Sequence, residues 1–513
     1  MAVTRLSRRS LLARAGAATA AAAATQLPSG LLGGSASAAT ARIPSAWLRE
    51  LADELRGGVY LQDNPRYLTA QAIYNSRFDL VFPPVIARPL DTDDVRTAMA
   101  WAARYNVAVF PRGGGHGYTG NATTPHALVL DLRTLKGVAL SDGNRTAGIG
   151  GGALAIDVVA ALAAKGVAIP TGSCPSVGVT GLAMGGGVGS LSRAYGLTTD
   201  HVQALTIVTP DGVVREVSES SEPDLFWACR GGGGGNVGVV TRTVMRTVPT
   251  ATETLITIRW QWAVADEVLD TFLRTAPEAP RELTGDLAFS VDSSGKLPVV
   301  RYTGTFLGPV DQARAAVAPL LAIEGAGSSF APKTHLQAAL IAGYCEGLSI
   351  QQCRPNRFGD QGMLGRSRFF AGSSYLPGPL DAAGRQALLR AVRSARPVFG
   401  GRRSVLLAAM GGAIDDVAPD ATAFPHRAAR CGVQFLAQSS GAWEDYNARN
   451  WVRSARNQLA PHATGGAYVN YLDLDQPGWQ TAYYGGSLER LKAVKAQYDP
   501  DRRFRPQQGI PLA

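Results

Sequence analysis

The chain is poor in cysteine: five residues in 513, with no Cys-x-x-Cys pair. That excludes a disulfide-built scaffold, and the six scattered histidines offer no ligand spacing, so no metal is expected. Charge is sparse at 18 % while 46 % of residues are hydrophobic, a balance that excludes a disordered chain and supplies a large core. The net charge of +10 lacks a basic run interleaved with aromatics, so no nucleic-acid footprint is expected. Beyond the N-terminal stretch no run reaches the ~18 apolar residues of a membrane span, so no stable membrane anchor is expected. The main Gly-rich stretch has no terminal Gly-Lys-Ser/Thr and is not a P-loop.

Glycine, by contrast, is abundant at 59 residues, and much of it stands in loops. Pro111 to Gly120 reads Pro-Arg-Gly-Gly-Gly-His-Gly-Tyr-Thr-Gly. Arg112, Gly113, Gly114, Gly115, Gly117, Tyr118 and Gly120 surround one reactive side chain, His116. A backbone this bare can turn successive N–H groups toward anionic oxygens. The dinucleotide fingerprint is absent, because the glycines do not open a helix. Taken alone the stretch fits either a phosphate-bearing cofactor or an exposed loop.

A second stretch, Thr171 to Val202, narrows the choice. Gly172, Ser173 and Cys174 precede Pro175, then Val177, Gly178, Gly181, Gly185, Gly186, Gly187 and Gly189 follow. Small residues at this density allow close approach to a large planar ligand; a tightly packed helix is the alternative. Further on, Asp224-Leu225-Phe226-Trp227 leads through five glycines to Gly238, Val239 and Val240. Between these motifs the pattern predicts helices over Trp47–Leu55, Asp91–Arg104 and Ala153–Ala164. It predicts strands over Val107–Phe110 and Ala127–Leu132, and an edge or first strand over Val81–Arg88, broken by Pro83 and Pro84. Pro210-Asp211-Gly212 predicts a hairpin between Leu205–Val208 and Val213–Val217. From about Thr252, period-2 segments predict an antiparallel sheet: Leu255–Trp262, Leu287–Asp292, Val299–Phe306, Val405–Met410 and Val433–Ala437. Helices such as Gln312–Leu321 and Gly384–Val392 back it.

His116 and Cys174 in their loops, with Tyr468-Val469-Asn470-Tyr471-Leu472-Asp473 and the Tyr483-Tyr484-Gly485 to Phe504 segment, resemble the berberine-bridge-enzyme-like flavoprotein oxidases of the vanillyl-alcohol-oxidase superfamily. The resemblance implies an α+β fold: a two-part FAD-binding domain of PCMH type and an inserted antiparallel-sheet substrate domain. The expected boundaries are 40–250 for the FAD domain (core 78–248), 251–460 for the substrate domain, and 461–513 for the returning C-terminal segment. It also implies bicovalent FAD, bonded through His116 to the flavin 8α-methyl and through Cys174 to flavin C6. Asn470 and the Gly238–Val240 segment join the cofactor-binding set. Val177 falls where a small residue in relatives tends to admit dioxygen, and Val188 stands where several relatives carry an active-site Tyr. Ser487 replaces the family's Asn, and either residue caps a helix.

Tyr471 is the candidate general base, with Tyr468 as a possible sharer, on a strand that sets one aromatic on each face. A phenol titrates near ~10, so a cationic or polar neighbour must lower it. Gln434 is expected to donate a hydrogen bond to Tyr471; two merely buried aromatics are the alternative. His426, in Phe424-Pro425-His426-Arg427, is read as holding a turn. Tyr344 and Arg354 are candidate substrate contacts. Cys345 and Cys353 can close a disulfide or remain buried thiols.

Ser7-Arg8-Arg9-Ser10-Leu11-Leu12 is a twin-arginine pattern, followed by an Ala-rich stretch and Ala36-Ser37-Ala38. Residues 1–39 thus read as a signal peptide for the twin-arginine export machinery, giving an extracellular protein. They hold four arginines and no acid, so the mature net charge is 10 − 4 = +6. The expected activity is oxidation of a small-molecule alcohol or carbohydrate, with O2 as acceptor and H2O2 as product. Tailoring of a secondary metabolite and a dehydrogenase with another acceptor are the alternatives.

Overall fold

Four strands at the N-terminal side set up the first Gly-rich loop: β1 (Gly58–Tyr60), β2 (Val85–Arg88), β3 (Ala108–Arg112) and β4 (Ala127–Asp131). They lie in the order β1-β2-β4-β3, with β2 and β3 parallel to β4 and β1 antiparallel to β2. The computed structural model describes residues 43–294, 296–356, 361–398 and 400–512; the predicted signal peptide lies outside them. The segment read as an edge strand is an interior one. Pro83 and Pro84 precede β2, so the ladder loses no N–H donor. Helix Thr92–Arg104 covers this sheet, capped by Asp91, whose carboxylate accepts from the Asp94 N–H at 3.0 Å. It buries Val95, Met99 and Trp101 against Val85, Val109 and Leu128.

A second sheet, all antiparallel, runs β5-β6-β10-β8-β9: β5 (Val138–Ser141), β6 (Thr146–Gly150), β8 (Val202–Val208), β9 (Val214–Ser218) and β10 (Val239–Arg246). The predicted hairpin is β8–β9; Gly212 supplies the positive φ (76°) its turn requires. A two-residue pair, β7 (Val167–Ala168) with β11 (Val248–Pro249), leads toward the Cys174 loop. Helix Ala155–Ala163 packs Val158 and Leu162 onto Ile149 and Leu205.

The third sheet is antiparallel, seven strands in the order β15-β12-β14-β13-β17-β18-β16. These are β12 (Glu253–Trp260), β13 (Leu283–Asp292), β14 (Val299–Leu307), β15 (Gly327–Lys333), β16 (Arg368–Leu376), β17 (Arg402–Ala409) and β18 (Cys431–Ser439). Alternation along each strand divides its faces. Leu287, Phe289, Val405, Leu407, Val433 and Phe435 point into a core closed by helices Ala265–Thr275, Ala382–Arg393 and Asp445–Leu459. The intervening residues form the opposite face, the wall of a cleft. The fold is thus α+β, with mixed and antiparallel sheets and a helix-backed antiparallel layer.

The C-terminal segment returns to the Gly-rich loops through helix Leu488–Tyr498. Buried Lys495 donates to Asn236 O (2.6 Å), Phe504 O (2.7 Å) and the Asp499 carboxylate (2.5 Å), which joins tail, helix and glycine run. Ser487 does not cap by its side chain; a 3-10 turn, Gly485–Ser487, runs straight into the helix and leaves no break to cap.

Tyr468 to Asp473 is not a strand. Val469–Tyr471 forms one 3-10 turn, with the Tyr471 N–H donating to Tyr468 O at 2.8 Å. Side chains take the N–H groups a ladder would have used: Tyr468 N–H donates to Ser373 Oγ (2.9 Å) and Asp473 N–H to Tyr483 Oη (2.8 Å). In a strand, residues three apart face opposite sides; in a 3-10 turn they eclipse. That difference brings Tyr468 and Tyr471 into one place.

Candidate active site

The loop after β3 and the loop carrying Cys174 press against each other. A Cβ on Gly114 would stand 2.3 Å from Gly178 N and 2.5 Å from Ser176 O, so only glycine allows this contact. Between these loops, the glycine run Gly233–Gly235 and the C-terminal residues Pro506–Gly509 lies a cavity of about 320 Å³. Arg112, Gly113, Gly114, Gly115, His116, Gly117 and Tyr118 line it, as do Gly172, Ser173, Cys174, Val177, Gly178, Gly181, Gly238, Val240 and Asn470.

Other glycines of the predicted set do not reach its wall. Gly189 lies against Thr171, whose carbonyl oxygen a Cβ would meet at 1.7 Å, and Gly120 turns at φ +75° beside Phe78. Gly185, Gly186 and Gly187 make room for Asn470, Phe424 and Thr198, and Val239 is core. Their smallness makes room for these neighbours. The C-terminal segment reaches the wall as expected through Asn470, and Pro506–Gly509 extend that lining. Tyr74, which lines the neighbouring cleft, was not expected, because it lies far from the loops in sequence.

Among the described residues, none that lines this cavity is acidic. Its one cation, Arg112, is held by Asp131 (3.1 Å) and Ala70 O (2.5 Å). The buried hydroxyls of Thr119 and Thr180, both on the wall, have no hydrogen-bond partner among the described residues. Backbone N–H groups, unpartnered hydroxyls and the absence of repelling carboxylates fit a long anionic ligand such as a dinucleotide.

His116 stacks on Tyr74 with ring centroids 4.0 Å apart, and its Nε2 meets Ser176 Oγ at 2.8 Å. That contact leaves Nδ1 without a partner among the described residues. Burial lowers the imidazole to about 3, so it is neutral at ordinary pH. Cys174 is outside any disulfide and opens into the cavity. Surrounding protein raises its thiol, although Ser173 opposes the shift.

A second cavity, of about 510 Å³, lies on the cleft face of the seven-stranded sheet. The two share His116, Ser173, Cys174, Val188, Tyr468 and Tyr471. The imidazole, the thiol and both tyrosines therefore stand where the cavities meet.

The Tyr471 ring stacks on Tyr118 (5.2 Å, 8°) and meets Tyr468 edge-on (4.9 Å). Gln434 does not donate to Tyr471 as expected. Its Nε2 donates to Tyr118 Oη at 2.8 Å, because the stacked Tyr118 stands between. The Tyr471 hydroxyl has no partner among the described residues, and burial, followed by Tyr468, pushes its phenol up rather than down. Tyr468 Oη is better supplied: Gly187 N–H and Asn470 Nδ2 each donate at 2.9 Å, and Val188 N–H at 3.3 Å. The Asn470 amide is oriented by a second bond to Leu182 O (3.0 Å).

His426 stacks on Tyr375 (4.6 Å) and meets Tyr483 O at 3.2 Å, holding the turn as read. Arg354 is paired with Asp157 (2.6 Å) and lies off the cleft wall, whereas exposed Tyr344 lines it. Cys345 and Cys353 form a disulfide, Cα to Cα 5.5 Å.

A family model described as FAD binding domain matches residues 83–218, and one described as berberine and berberine like matches 467–511. An FAD-linked oxidoreductase of Bacillus subtilis, YgaK, is 31 % identical over 462 residues, covering 89 % of this chain and 97 % of that protein. This chain belongs to the berberine-bridge-enzyme-like FAD-linked oxidoreductases. Two solved structures agree: the Physcomitrella patens berberine-bridge-enzyme-like 1 protein (TM-score 0.82, 29 % identity, 91 % of this chain and 99 % of that one) and a chitooligosaccharide oxidase (TM-score 0.81, 25 % identity, 91 % and 100 %). FAD is thus the cofactor the chain uses, and the acid-free cavity and the cleft beside it share a wall. Among the described residues no helix is long and apolar enough to cross a membrane.

Proposed function

We propose that the protein is an exported oxidase that removes a hydride from the alcohol carbon of a sugar, oligosaccharide or similar secondary alcohol. The observation that carries this reading is the junction of the two cavities, where His116, Cys174, Tyr468 and Tyr471 share one wall. FAD, when bound, supplies the hydride acceptor. His116 through Nδ1 and Cys174 through Sγ would hold it covalently, and the glycine loops would receive its phosphates. The neutral imidazole favours such a role, since its ring nitrogen keeps a lone pair.

Tyr471 faces the substrate cleft with an unengaged hydroxyl, positioned to receive the proton of the substrate alcohol as the C–H bond breaks. Its raised phenol makes the base form scarce at neutral pH and strong once formed. Tyr468, anchored by donors from Gly187 and Asn470, holds the edge of that ring. Tyr118 and Gln434 fix the opposite face. The similarity to a chitooligosaccharide oxidase supports a carbohydrate donor. Dioxygen as final acceptor, reduced to H2O2, is supported by the modest size of Val177 on the cofactor wall. Export through the twin-arginine machinery is supported by Arg8-Arg9 and the Ala-rich stretch behind them.

The test is peroxide release with mono- and oligosaccharides in an oxygen electrode, alongside reduction of an artificial dye. Peroxide stoichiometric with oxygen uptake is the expected result. Dye reduction without oxygen uptake would make the protein a dehydrogenase; neither signal with any carbohydrate or simple secondary alcohol would overturn the reading.

A further inference from the structure

The cleft wall carries a polar group that the chemistry above does not use. On this face of the sheet the strand registers set two rows of side chains. One runs Thr303, Asp286, Ala408, Gly432; the other runs Arg301, Ala288, Leu406, Gln434. Among the described residues, Asp286 and Arg301 are the two charged ones lining the cleft. They sit diagonally on neighbouring strands, no ion pair joins them, and neither has a hydrogen-bond partner among the described residues. Asp286 opens into the cleft while protein surrounds it, and that partial desolvation raises its carboxyl to about 6, leaving it mostly ionised at neutral pH. Thr303 stands opposite Asp286 and adds a hydroxyl.

The chemistry of this cluster selects among ligands. One carboxylate and one guanidinium, unpaired on the same wall, leave that wall without a net charge to favour a cationic or an anionic ligand as a whole. Together they present two acceptor oxygens, a fork of donors and a hydroxyl, the set that pairs with hydroxyls and ring oxygens of a neutral polyol. Between the cluster and the reaction end Ala288, Ala408 and Gly432 keep the wall low, with Leu406 the larger apolar side chain among them. Asp286 on β13 lies two strands from β18, which carries Gln434, or about 10 Å at ~4.8 Å per strand. One pyranose ring does not fill that span.

We propose that Asp286, Arg301 and Thr303 form a distal subsite that binds the second ring of an oligosaccharide whose first ring reacts beside Tyr471. This rests on the carbohydrate-oxidase reading above and specifies it: chain length is read by the β13–β14 end of the cleft. The residues determine specificity through contact with the second ring and receive neither hydride nor proton, although the Asp286 carboxylate, after burial, also helps to hold the Tyr471 phenol up.

The test compares glucose with cellobiose, xylose with xylobiose, and N-acetylglucosamine with its dimer, using the flavin-loaded enzyme. In at least one series wild-type kcat/KM rises ~10-fold or more from monomer to dimer, the scale of a hydrogen bond to a charged group. Asp286→Asn and Arg301→Met each bring that dimer-to-monomer ratio toward one, mainly through KM. Dimer binding, followed by perturbation of the visible flavin spectrum under anaerobic conditions, weakens in parallel. Circular dichroism and bound-flavin absorbance report whether each variant has folded; if one has not, the other carries the test. A wild type equally active on monomer and dimer, or folded variants that keep the dimer preference, overturns the subsite and leaves the oxidase reading standing. A wild type that neither binds nor oxidises any saccharide overturns both.

Discussion

Replacing Tyr471 by Phe isolates the proposed proton acceptor, because the hydroxyl it removes has no structural duty. The phenyl ring keeps its stack on Tyr118 at 5.2 Å and its edge contact with Tyr468 at 4.9 Å. No described residue hydrogen-bonds to the lost oxygen, so no buried partner is orphaned. The stability change should stay within ~0.5 kcal/mol, as for substitutions that break no defined interaction. The catalytic loss should be far larger. A positioned general base contributes about 10²- to 10⁴-fold, or about 2.7–5.4 kcal/mol of barrier at 1.36 kcal/mol per tenfold. The assay is the anaerobic rate of flavin bleaching at saturating donor, which separates the chemical step from reoxidation. The pH profile adds a sign. A base whose phenol is raised is active only when deprotonated, so the wild-type rate climbs with pH through the alkaline range, and Tyr471→Phe flattens that climb. A variant within tenfold of wild type at every pH would refute the assignment. So would a slow variant that has also lost its flavin, since the defect would then lie in binding.

His116→Ala and Cys174→Ala should each leave yellow protein after acid precipitation, while the double variant releases all colour to the supernatant. Colour released from wild type would sink dual attachment. Tyr468→Phe should cost more stability than Tyr471→Phe, about 1–3 kcal/mol, because it orphans the donors of Gly187 and Asn470; equal thermal midpoints for the two variants would contradict this. Asp131→Asn should destabilise by about 3–5 kcal/mol and loosen the His116 loop. It removes a fully buried carboxylate from three guanidinium groups, those of Arg88, Arg112 and Arg133. Burial pushes that carboxyl up, but the arginines outweigh it and hold it well below its ordinary value. Its contribution is therefore complete above the unfolded pKa of ~3.9 and is lost as pH falls below it. Wild type should lose its stability margin over the variant in acid urea titrations, and a margin independent of pH would refute the linkage.

Much of this protein was legible before folding was considered. Local signals set local structure: Asp91 before an apolar stripe marked a helix start, Pro210-Asp211-Gly212 a hairpin, and period-2 alternation five of the seven strands of the large sheet, β15 and β16 being missed. Helix Asp445–Leu459 escaped notice although Ala448, Trp451, Val452, Ala455 and Leu459 form its buried stripe, because its arginines and asparagines mask the apolar period. The His116 and Cys174 motifs spoke for a flavin through their resemblance to the berberine-bridge-enzyme-like oxidases, whereas the first glycine loop alone fitted either a phosphate-bearing cofactor or an exposed loop. Sequence could not say which side chain meets which across the fold. Tyr468 and Tyr471 share a wall only because Ser373 and Tyr483 take backbone donors and curl a would-be strand into a turn. Gln434 reaches Tyr118 rather than Tyr471 because a stacked ring intervenes. Asp286 and Arg301 became neighbours through strand register alone. Motifs and periodicity act over a few residues, so the chain by itself determined elements and cofactor; registry and contact between distant segments are set by packing, and only the tertiary structure decided who faces the substrate.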